Sequence, residues 1–243
     1  MTPTYVYGLV AADTEIPEEL PGLGPSGTIS IITHGKLAAI VSDVPADRPL
    51  GTRDDLIAHE TVLDSVAANA GVLPMRFPAV IEEQGVVAEL LEPHHDHLVE
   101  VLAGLESRTQ FTLKGRYEQD AVLREVLAED AEVRGLQETV RALPEDAAYY
   151  DRVRLGELVV GALEERRRDD AEHMLERLRP TVVDAVAHQP ANPDDVINAA
   201  FLVERARQRE FEDAVEELGR EQAERMRLRL LGPLAPYDFV PAE

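Results

Sequence analysis

The sequence predicts an α+β fold in two parts, followed by an extended C-terminal tail. Three observations lead to this fold class. Short apolar stretches alternate with helix-like segments over residues 1–118. From Asp120 the composition shifts to Glu, Arg, Ala and Leu, which favours long helices. Residues 194–240 return to a strand, a helix and a strand, and they end in a segment that contains Pro233 and Pro236.

The N-terminal part, residues 1–118, is expected to be a ferredoxin-like domain with its helices on one face of a mostly antiparallel sheet. Apolar runs indicate the strands, and apolar residues three or four positions apart indicate the helices. Gly35 lies in a short turn between two apolar runs, which predicts a hairpin. The predicted strands are 5–10, 28–33, 37–41, 72–81 and 111–117, and the predicted helices are 52–70 and 84–105, the second kinked at Pro93.

The first predicted helix has one apolar stripe that contains a histidine. Thr52 and Asp55 have the spacing of an N-terminal capping box, and Gly71 is placed to cap the other end. The stripe consists of Leu56, His59, Leu63, Val66 and Ala70. We therefore expect His59 to pack beside Leu56 and Leu63 against the sheet, as a hydrogen-bonded residue at the edge of the core.

The C-terminal part, residues 119–231, is expected to be a helix-rich α+β domain. Residues 121–143 predict a helix that is interrupted near 130–135, and residues 148–188 predict one long helix or two, with a break at Pro180. A buried strand at 196–203 follows, and then a helix with apolar residues at Phe211, Val215 and Leu218.

The last predicted strand alternates between arginine and apolar residues. Met226, Leu228 and Leu230 can face a core while the intervening arginines face outward, which is typical of a half-buried strand. Two interpretations of the row formed by Arg225, Arg227 and Arg229 remain open. The row is a docking stripe for a partner, or it pairs with neighbouring glutamates.

The tail, residues 232–243, is too apolar for a free end. Its two prolines pre-set an extended backbone and lower the entropic cost of docking. Leu234, Tyr237 and Phe239 supply the apolar surface. We expect the tail to dock on the N-terminal domain and to fix the angle between the two parts.

Composition excludes several classes of protein. A net charge of −23 makes nucleic acid and anionic membranes poor partners, and it indicates either a solvated acidic surface or adaptation to high salt. The absence of cysteine excludes disulfides and thiolate chemistry. We find neither an apolar run of membrane-spanning length nor a signal peptide, so we expect a cytoplasmic protein.

Two histidine sites are candidates for chemistry. The segment Glu92–His97 holds three histidines and two carboxylates, but its spacing does not place a pair at i and i+4 on a helix face, as zinc sites prefer. His59 could act as a general base. We find no nucleotide-binding loop and no nucleophile elbow, and we expect no catalytic residue, no cofactor and no metal.

Four segments stand out in order along the chain. They are Tyr5-Val6-Tyr7-Gly8-Leu9-Val10, Leu73-Pro74-Met75-Arg76-Phe77, residues 150–158 (YDRVRLGEL), and the stretch from AAFLV through the alternating strand to GPLAPYDFV. Together these segments resemble the GvpF/GvpL family of gas vesicle proteins. The resemblance covers essentially the whole chain. The family often has a Trp or a second aromatic residue near the tail, and this chain has no Trp.

The resemblance implies a non-enzymatic role as a chaperone-like assembly factor in gas vesicle organisation. The expected partners are the hydrophobic shell protein GvpA and other gas vesicle accessory proteins, and the chain either helps to nucleate and assemble the vesicle or stays in it as a minor structural component. The candidate residues for partner binding or tail docking are Arg76, Phe77, Arg225, Arg227, Arg229, Leu234, Tyr237 and Phe239. The alternatives are a small-molecule enzyme on a ferredoxin-like barrel, centred on His59 or His94–His97, and a ligand-binding regulatory module.

Overall fold

The computed structural model describes residues 2–17, 20–144 and 147–240, which combine helices and sheets as predicted. The chain forms two compact units, one containing residues 1–111, 201–208 and 231–243, and the other containing residues 112–200 and 209–230. The strands are β1 (Pro3–Ala11), β2 (Ser30–His34), β3 (Leu37–Asp43), β4 (Leu73–Pro74), β5 (Val80–Glu82), β6 (Arg108–Tyr117), β7 (Asp184–Ala187), β8 (Asp195–Glu204) and β9 (Met226–Leu234). The helices are α1 (Arg53–Ala67), α2 (Glu83–Gly85), α3 (His95–Leu105), α4 (Gln119–Glu129), α5 (Ala131–Ala142), α6 (Tyr149–Leu178) and α7 (Gln208–Glu221).

The sheet of the first unit is built around β1. Its strand order is β2-β3-β1-β4, and β5 also pairs with β1. Strands β3, β4 and β5 run antiparallel to β1, and β2 runs antiparallel to β3. The predicted hairpin is confirmed, because Gly35 has φ of 58°, the left-handed conformation that glycine adopts readily, and His34 pairs with Leu37 across the turn.

A β-bulge in β1 explains its glycine. The register with β3 shifts between Val6 and Gly8, so Tyr7 and Gly8 both lie on the side of helix α1. A Cβ atom at Gly8 would lie 2.7 Å from the Leu73 carbonyl oxygen and 2.8 Å from a methyl group of Leu63. The bulge therefore requires a residue without a side chain at this position.

The two faces of this sheet carry separate cores. One core joins Tyr5, Tyr7 and Ile40 to Val62 and Leu63 of α1. The second core lies on the opposite face, where side chains of β1 and β3 pack against the helical residues 86–91 and against α3. It contains Val6, Leu9, Leu37, Ala39, Val41, Leu91, Leu98 and Leu102. The prediction that the helices share one face is wrong, because β1 and β3 are apolar on both faces and each face needs a cover. The ferredoxin-like assignment stays a prediction.

Helix α1 begins with the predicted capping box. The Thr52 hydroxyl accepts from the backbone N–H of Asp55 at 3.2 Å, and the Asp55 carboxylate accepts from the backbone N–H of Thr52 at 3.0 Å. Two details predicted for this helix are wrong. Leu56 was expected in the buried stripe, but it is 39% exposed and Val62 is buried instead. Gly71 was expected to cap the helix, but α1 ends earlier, at Ala67.

Residues 72–105 form more and shorter elements of secondary structure than predicted. The expected strand at 72–81 is two short strands, β4 and β5, because Pro74 and Pro78 cannot donate ladder hydrogen bonds. The expected helix at 84–105 begins with α2 and continues as a π-helix, Val86–Leu91. It stops at residues 92–94, beside Pro93, and resumes as α3.

The second unit contains the helices α4, α5 and α6, which pack on one another. Asp130 separates α4 from α5 and caps α5 by accepting from the backbone N–H groups of Glu132 and Val133. The helix predicted over 148–188 is shorter: α6 is a single helix that ends at Leu178, two residues before Pro180. Residues 184–187 form β7 rather than helix.

A four-stranded sheet has the order β7-β8-β6-β9. Alternation in β9 is confirmed, since Met226 is buried, Leu228 and Leu230 are half-buried, and Arg227 and Arg229 are exposed. The start of the predicted tail was wrong, because β9 continues to Leu234. Residues Tyr237–Phe239 then form a single 3₁₀ turn, although an extended backbone was expected there.

Candidate functional site

An open cleft lies on the α3 side of the first sheet. Its volume is about 340 Å³. The walls are mostly apolar, and polar side chains are present as well. The lining residues are Leu9, Leu73, Pro74, Met75, Arg76, Glu89, Leu90, His94, His97, Leu98, Val101 and Val240. A concave apolar surface with a few polar groups is the usual form of a binding site.

Local backbone irregularities shape the cleft. Met75 donates its backbone N–H to the Tyr7 carbonyl at 2.9 Å, which holds the segment after β4 against β1. On the other side, the backbone N–H of Glu92 donates to the Val87 carbonyl at 2.9 Å, a π-helical hydrogen bond. The π-helix carries Glu89 and Leu90 at the cleft. Such segments are rare and occur often at functional sites.

The floor and the rim of the cleft differ in character. Leu9, Leu73 and Leu98 are buried and belong to the core of this face. Arg76, His94, His97 and Glu89 are exposed. The cleft therefore offers an apolar floor beneath a rim that has more cationic or protonatable groups than acids.

The C-terminal tail contacts both cores of the first unit. Ala235 and Tyr237 pack with the α1 core, together with Phe77, whereas Phe239 and Val240 pack with the α3 core. The Leu234 carbonyl accepts from the Thr109 hydroxyl at 3.3 Å. Polar contacts therefore accompany the apolar packing of the tail.

A second polar contact of the tail is a reciprocal pair with Gln110. The Gln110 side-chain amide donates to the Asp238 carboxylate at 2.7 Å, and the Gln110 amide oxygen accepts from the Asp238 backbone N–H at 3.1 Å. Gln110 is 3% exposed. Because a buried amide needs partners, this pair fixes the position of the tail on its strand.

The contact between Asp64 and the tail has an unusual electrostatic setting. The Asp64 carboxylate accepts from the backbone N–H of Ala235 at 2.8 Å. Burial raises the pKa of Asp64 to about 6, and the nearby Glu60 adds to the shift. Burial, followed by the charges of Asp64 and Glu60, raises the pKa of Tyr237 above its ordinary value.

His59 lies in an aromatic cluster beneath the tail. Its Nε2–H donates to the Met75 carbonyl at 3.2 Å, so Nδ1 accepts from the Tyr5 hydroxyl at 2.8 Å. The ring is 5.7 Å from that of Phe77 and 6.2 Å from that of Tyr237. His59 is 1% exposed, and burial lowers its pKa to about 4. A neutral histidine with both nitrogens occupied is a structural residue rather than an accessible general base.

The histidines of residues 92–97 separate in the structure. His95 accepts from the Lys36 backbone N–H at 3.2 Å and lies 3.1 Å from the Asp96 carboxylate, while His94 and His97 line the cleft. Within residues 2–17, 20–144 and 147–240, no three His, Asp or Glu side chains converge as a metal site would require.

The arginine row has three different environments in the second unit. Arg225 is ion-paired with Asp170 at 2.8 Å and with Glu125 at 3.1 Å, and its side chain is 20% exposed. Arg227 pairs with Glu118. Arg229 is exposed. Arg225 therefore satisfies the acid-pairing interpretation, and the three arginines do not form a uniform stripe.

The structure also shows which candidates belong together. Arg76 lines the cleft, and Phe77, Leu234, Tyr237 and Phe239 are half-buried residues of the same unit. The sequence alone does not indicate the roles of Asp64, Gln110 and Asp238 in the tail contact, or of Leu90 and Val101 in the cleft. Gln110 lies one residue before the predicted strand 111–117, so the strand pattern gives no signal for it.

Comparisons with known proteins give one consistent result. The family model described as gas vesicle synthesis protein GvpL/GvpF matches residues 3–241. Gas vesicle protein F of Streptomyces sp. (strain CB03234) is 37% identical over 98% of this chain and 99% of its own length. Gas vesicle protein L of the same strain is 28% identical over 97% and 92%.

Solved structures agree on the fold. The crystal structure of GvpF from Anabaena sp. PCC7120 has a TM-score of 0.79 at 24% identity, covering 100% of this chain and 98% of that one. GvpF from Microcystis aeruginosa has a TM-score of 0.77 at 22% identity, with 100% of both chains covered. No helix in the part of the chain that the structure describes is long and apolar enough to cross a membrane. The match over residues 3–241 establishes that this chain belongs to the GvpL/GvpF family of gas vesicle proteins.

Proposed function

We propose that the chain is an accessory protein that binds the hydrophobic shell protein GvpA and helps to nucleate or assemble the gas vesicle. It acts without catalysing a reaction, in the cytoplasm and at the growing vesicle, together with other gas vesicle accessory proteins. The observation that carries this proposal is the family match over residues 3–241.

The physical reason for such a partner lies in the shell subunit. A protein with an apolar gas-facing side exposes a large apolar surface before assembly, and such surfaces aggregate in water. An accessory protein that covers this surface keeps the subunit available for assembly. The apolar cleft of the first unit is a surface of suitable chemistry.

The tail, residues 232–243, regulates this binding in our proposal. It docks on the N-terminal domain, residues 1–118, and limits access to the surface that receives the shell protein. Two contacts support the idea: Val240 lines the cleft, and the backbone N–H of Ala235 donates to Asp64 at 2.8 Å. In this proposal, a tail held at Ala235 and Val240 affects both stability and binding.

The test is co-expression of the tagged full chain with the shell protein from the same source. We expect the shell protein to co-purify with the chain and its soluble fraction to rise. A tagged soluble protein of similar size and negative charge is the control, because it separates specific capture from general charge effects. If the shell protein is neither captured nor kept soluble, this function is wrong.

A chain that ends at Leu231 tests the role of the tail. It lacks Leu234, Tyr237 and Phe239, so we expect a lower melting temperature and an altered yield of captured shell protein. Unchanged melting and unchanged capture would show that the tail has neither role.

A further inference from the structure

We infer that the cleft lined by Arg76, Leu90, His94, His97 and Val101 is the site where this chain holds an apolar segment of the shell subunit that carries an acidic side chain. The inference rests on the proposed function and goes beyond it, since it assigns the binding surface and the chemistry of the bound segment. We call this surface the α3 cleft.

The open shape and the apolar lining of the α3 cleft fit a peptide segment. Its volume of about 340 Å³ is near the lower end of the range for small-ligand pockets, which is ~300–1,000 Å³. The cleft is open to solvent along one side, so a segment of another chain can lie across it without being enclosed. Leu9, Leu73 and Leu98 give an apolar floor for aliphatic side chains.

The rim sets the charge of the bound segment. The whole chain has a net charge of −23, yet the rim of the α3 cleft has Arg76, His94 and His97 and a single acid, Glu89. An arginine beside an apolar surface attracts a carboxylate and can pair with it in a directed geometry. An acidic residue next to an apolar stretch can therefore pair with Arg76 on this rim.

The backbone around the α3 cleft is consistent with a binding site. One wall is a six-residue π-helix, Val86–Leu91, which widens the turn that carries Glu89 and Leu90. The opposite wall is the segment after β4, where Arg76 is exposed while Met75 packs into the core. Met75 and Phe77, on either side of Arg76, pack into the cores of the first unit, so the backbone that carries Arg76 is held in place.

Site-specific crosslinking gives the first test, because the chain has no cysteine. Val101→Cys in the α3 cleft and Ile57→Cys on α1 each create a unique site for a short photo-crosslinker on the full chain. Ile57 is 44% exposed and lies outside the cleft, so it is the matched control. We expect crosslinks to purified shell protein from position 101 and not from position 57. Mass spectrometry should identify an apolar peptide that contains Asp or Glu.

Two substitutions give an independent measurement. Leu90→Arg places a charge in the apolar contact, and Arg76→Glu reverses the charge of an exposed rim residue. Each should reduce the shell protein that co-purifies per chain by at least about tenfold. Ile57→Arg and Arg53→Glu on α1 are the matched controls and should leave the amount unchanged. Melting curves identify any variant that has lost its fold.

The outcomes separate the inference from the proposed function. Crosslinks from position 57 alone, or full capture by both Leu90→Arg and Arg76→Glu, overturn the inference while the chain still binds the shell protein. A crosslinked peptide that is basic overturns the assigned chemistry. If the unsubstituted chain captures no shell protein, the proposed function and the inference both fail.

Discussion

The Asp64 carboxylate on α1 accepts a hydrogen bond of 2.8 Å from the backbone N–H of Ala235 in the tail. The contact joins two positions that are 171 residues apart in the sequence. Ala235 is fully buried and Asp64 is half-buried, so a charge is held in a largely apolar setting. Burial raises the pKa of Asp64 to about 6, which means that the buried charge has a cost at neutral pH.

The first prediction concerns Asp64→Asn. The folded pKa is raised, so the folded state binds this proton before the unfolded chain does as the pH falls. The contribution of the protonated group to stability is therefore lost as the pH rises through about 6. Because asparagine keeps the acceptor oxygen without the charge, and because solvent screens part of this half-buried charge, Asp64→Asn should stabilise the chain by about 1–2 kcal/mol at pH 7.5 and have little effect at pH 4.

The measurement is a pair of melting curves at the two pH values. Asp54→Asn removes an exposed carboxylate from the first turn of the same helix and serves as the control. Because this carboxylate is exposed, its removal should change the melting temperature only slightly at either value. A loss of stability for Asp64→Asn at pH 7.5 would show that the charge itself holds the tail.

The second prediction concerns His59. Its pKa is lowered to about 4 in the folded state, so the unfolded chain binds the proton first. Stability should fall as the pH drops from the ordinary histidine value, about 6.5, towards 4. His59→Ala should remove this dependence and cost about 1–3 kcal/mol at neutral pH, since the Tyr5 hydroxyl and the Met75 carbonyl lose a buried partner.

The His59 effect has to be separated from that of Asp64, because the two act with opposite signs in overlapping pH ranges. The pH series is therefore best run in chains that already carry Asp64→Asn. His173→Ala, at an exposed histidine of α6 that lies outside the cleft, is the control. Capture of the shell protein by His59→Ala should be retained; loss of an activity at an unchanged melting temperature would favour the enzyme alternative.

The third prediction uses the Tyr237 hydroxyl. This buried oxygen has no hydrogen-bond partner among the described residues, while the ring packs in the α1 core. Tyr237→Phe should therefore be neutral or stabilising by up to about 1 kcal/mol, because it removes an unsatisfied polar group. Tyr237→Ala should cost about 2–4 kcal/mol through the cavity it leaves. Chemical denaturation distinguishes the two, and a large loss in Tyr237→Phe would indicate a bridging water.

The sequence predicts most elements whose apolar pattern is local. The alternation around Met226 and Leu228 is enough to define β9, and the turn at Gly35 defines the β2–β3 hairpin. The capping box of Thr52 and Asp55 is likewise a matter of spacing. In each case the interaction that selects the structure lies within a few residues of the pattern.

The remaining features depend on contacts between distant residues. Asp55 is 2% exposed because Arg48 pairs with its carboxylate, so an acid occupies a position that the apolar pattern alone would not assign to the buried face. On α1, Val62 is buried and Leu56 is exposed, and this difference depends on how the helix is rotated about its axis on the sheet. Leu90 and Val101 look like ordinary core residues in the sequence, whereas in the structure both are half-buried and line the α3 cleft beside Arg76.

The fourth prediction concerns salt. With a net charge of −23 and only 24 lysines and arginines, the folded chain repels itself at low ionic strength. Salt screens this repulsion over a Debye length of about 10 Å at 0.1 M. We therefore expect the melting temperature to rise from low salt to molar sodium chloride. A flat or falling curve would mean that local arginine pairs already neutralise the acids.

The last prediction separates the two interpretations of the arginine row. Arg225 bridges Asp170 of α6 and Glu125 of α4, and its guanidinium lies 6.0 Å from the centre of the Tyr117 ring. Arg225→Ala leaves both carboxylates without this cation in a partly buried site, so we expect a loss of about 2–4 kcal/mol. Arg229→Ala, at an exposed position in the same strand, should change stability by less than about 0.5 kcal/mol.

Urea unfolding of both variants measures stability, and capture of the shell protein measures binding. If the row serves only to hold the second unit together, Arg225→Ala loses stability while Arg229→Ala leaves both properties unchanged. A docking stripe gives the opposite pattern, because Arg229→Ala would then reduce capture at unchanged stability. The ion pairs of Arg225 favour the first outcome for that residue, and the result for Arg229 decides whether the exposed part of the row contacts a partner.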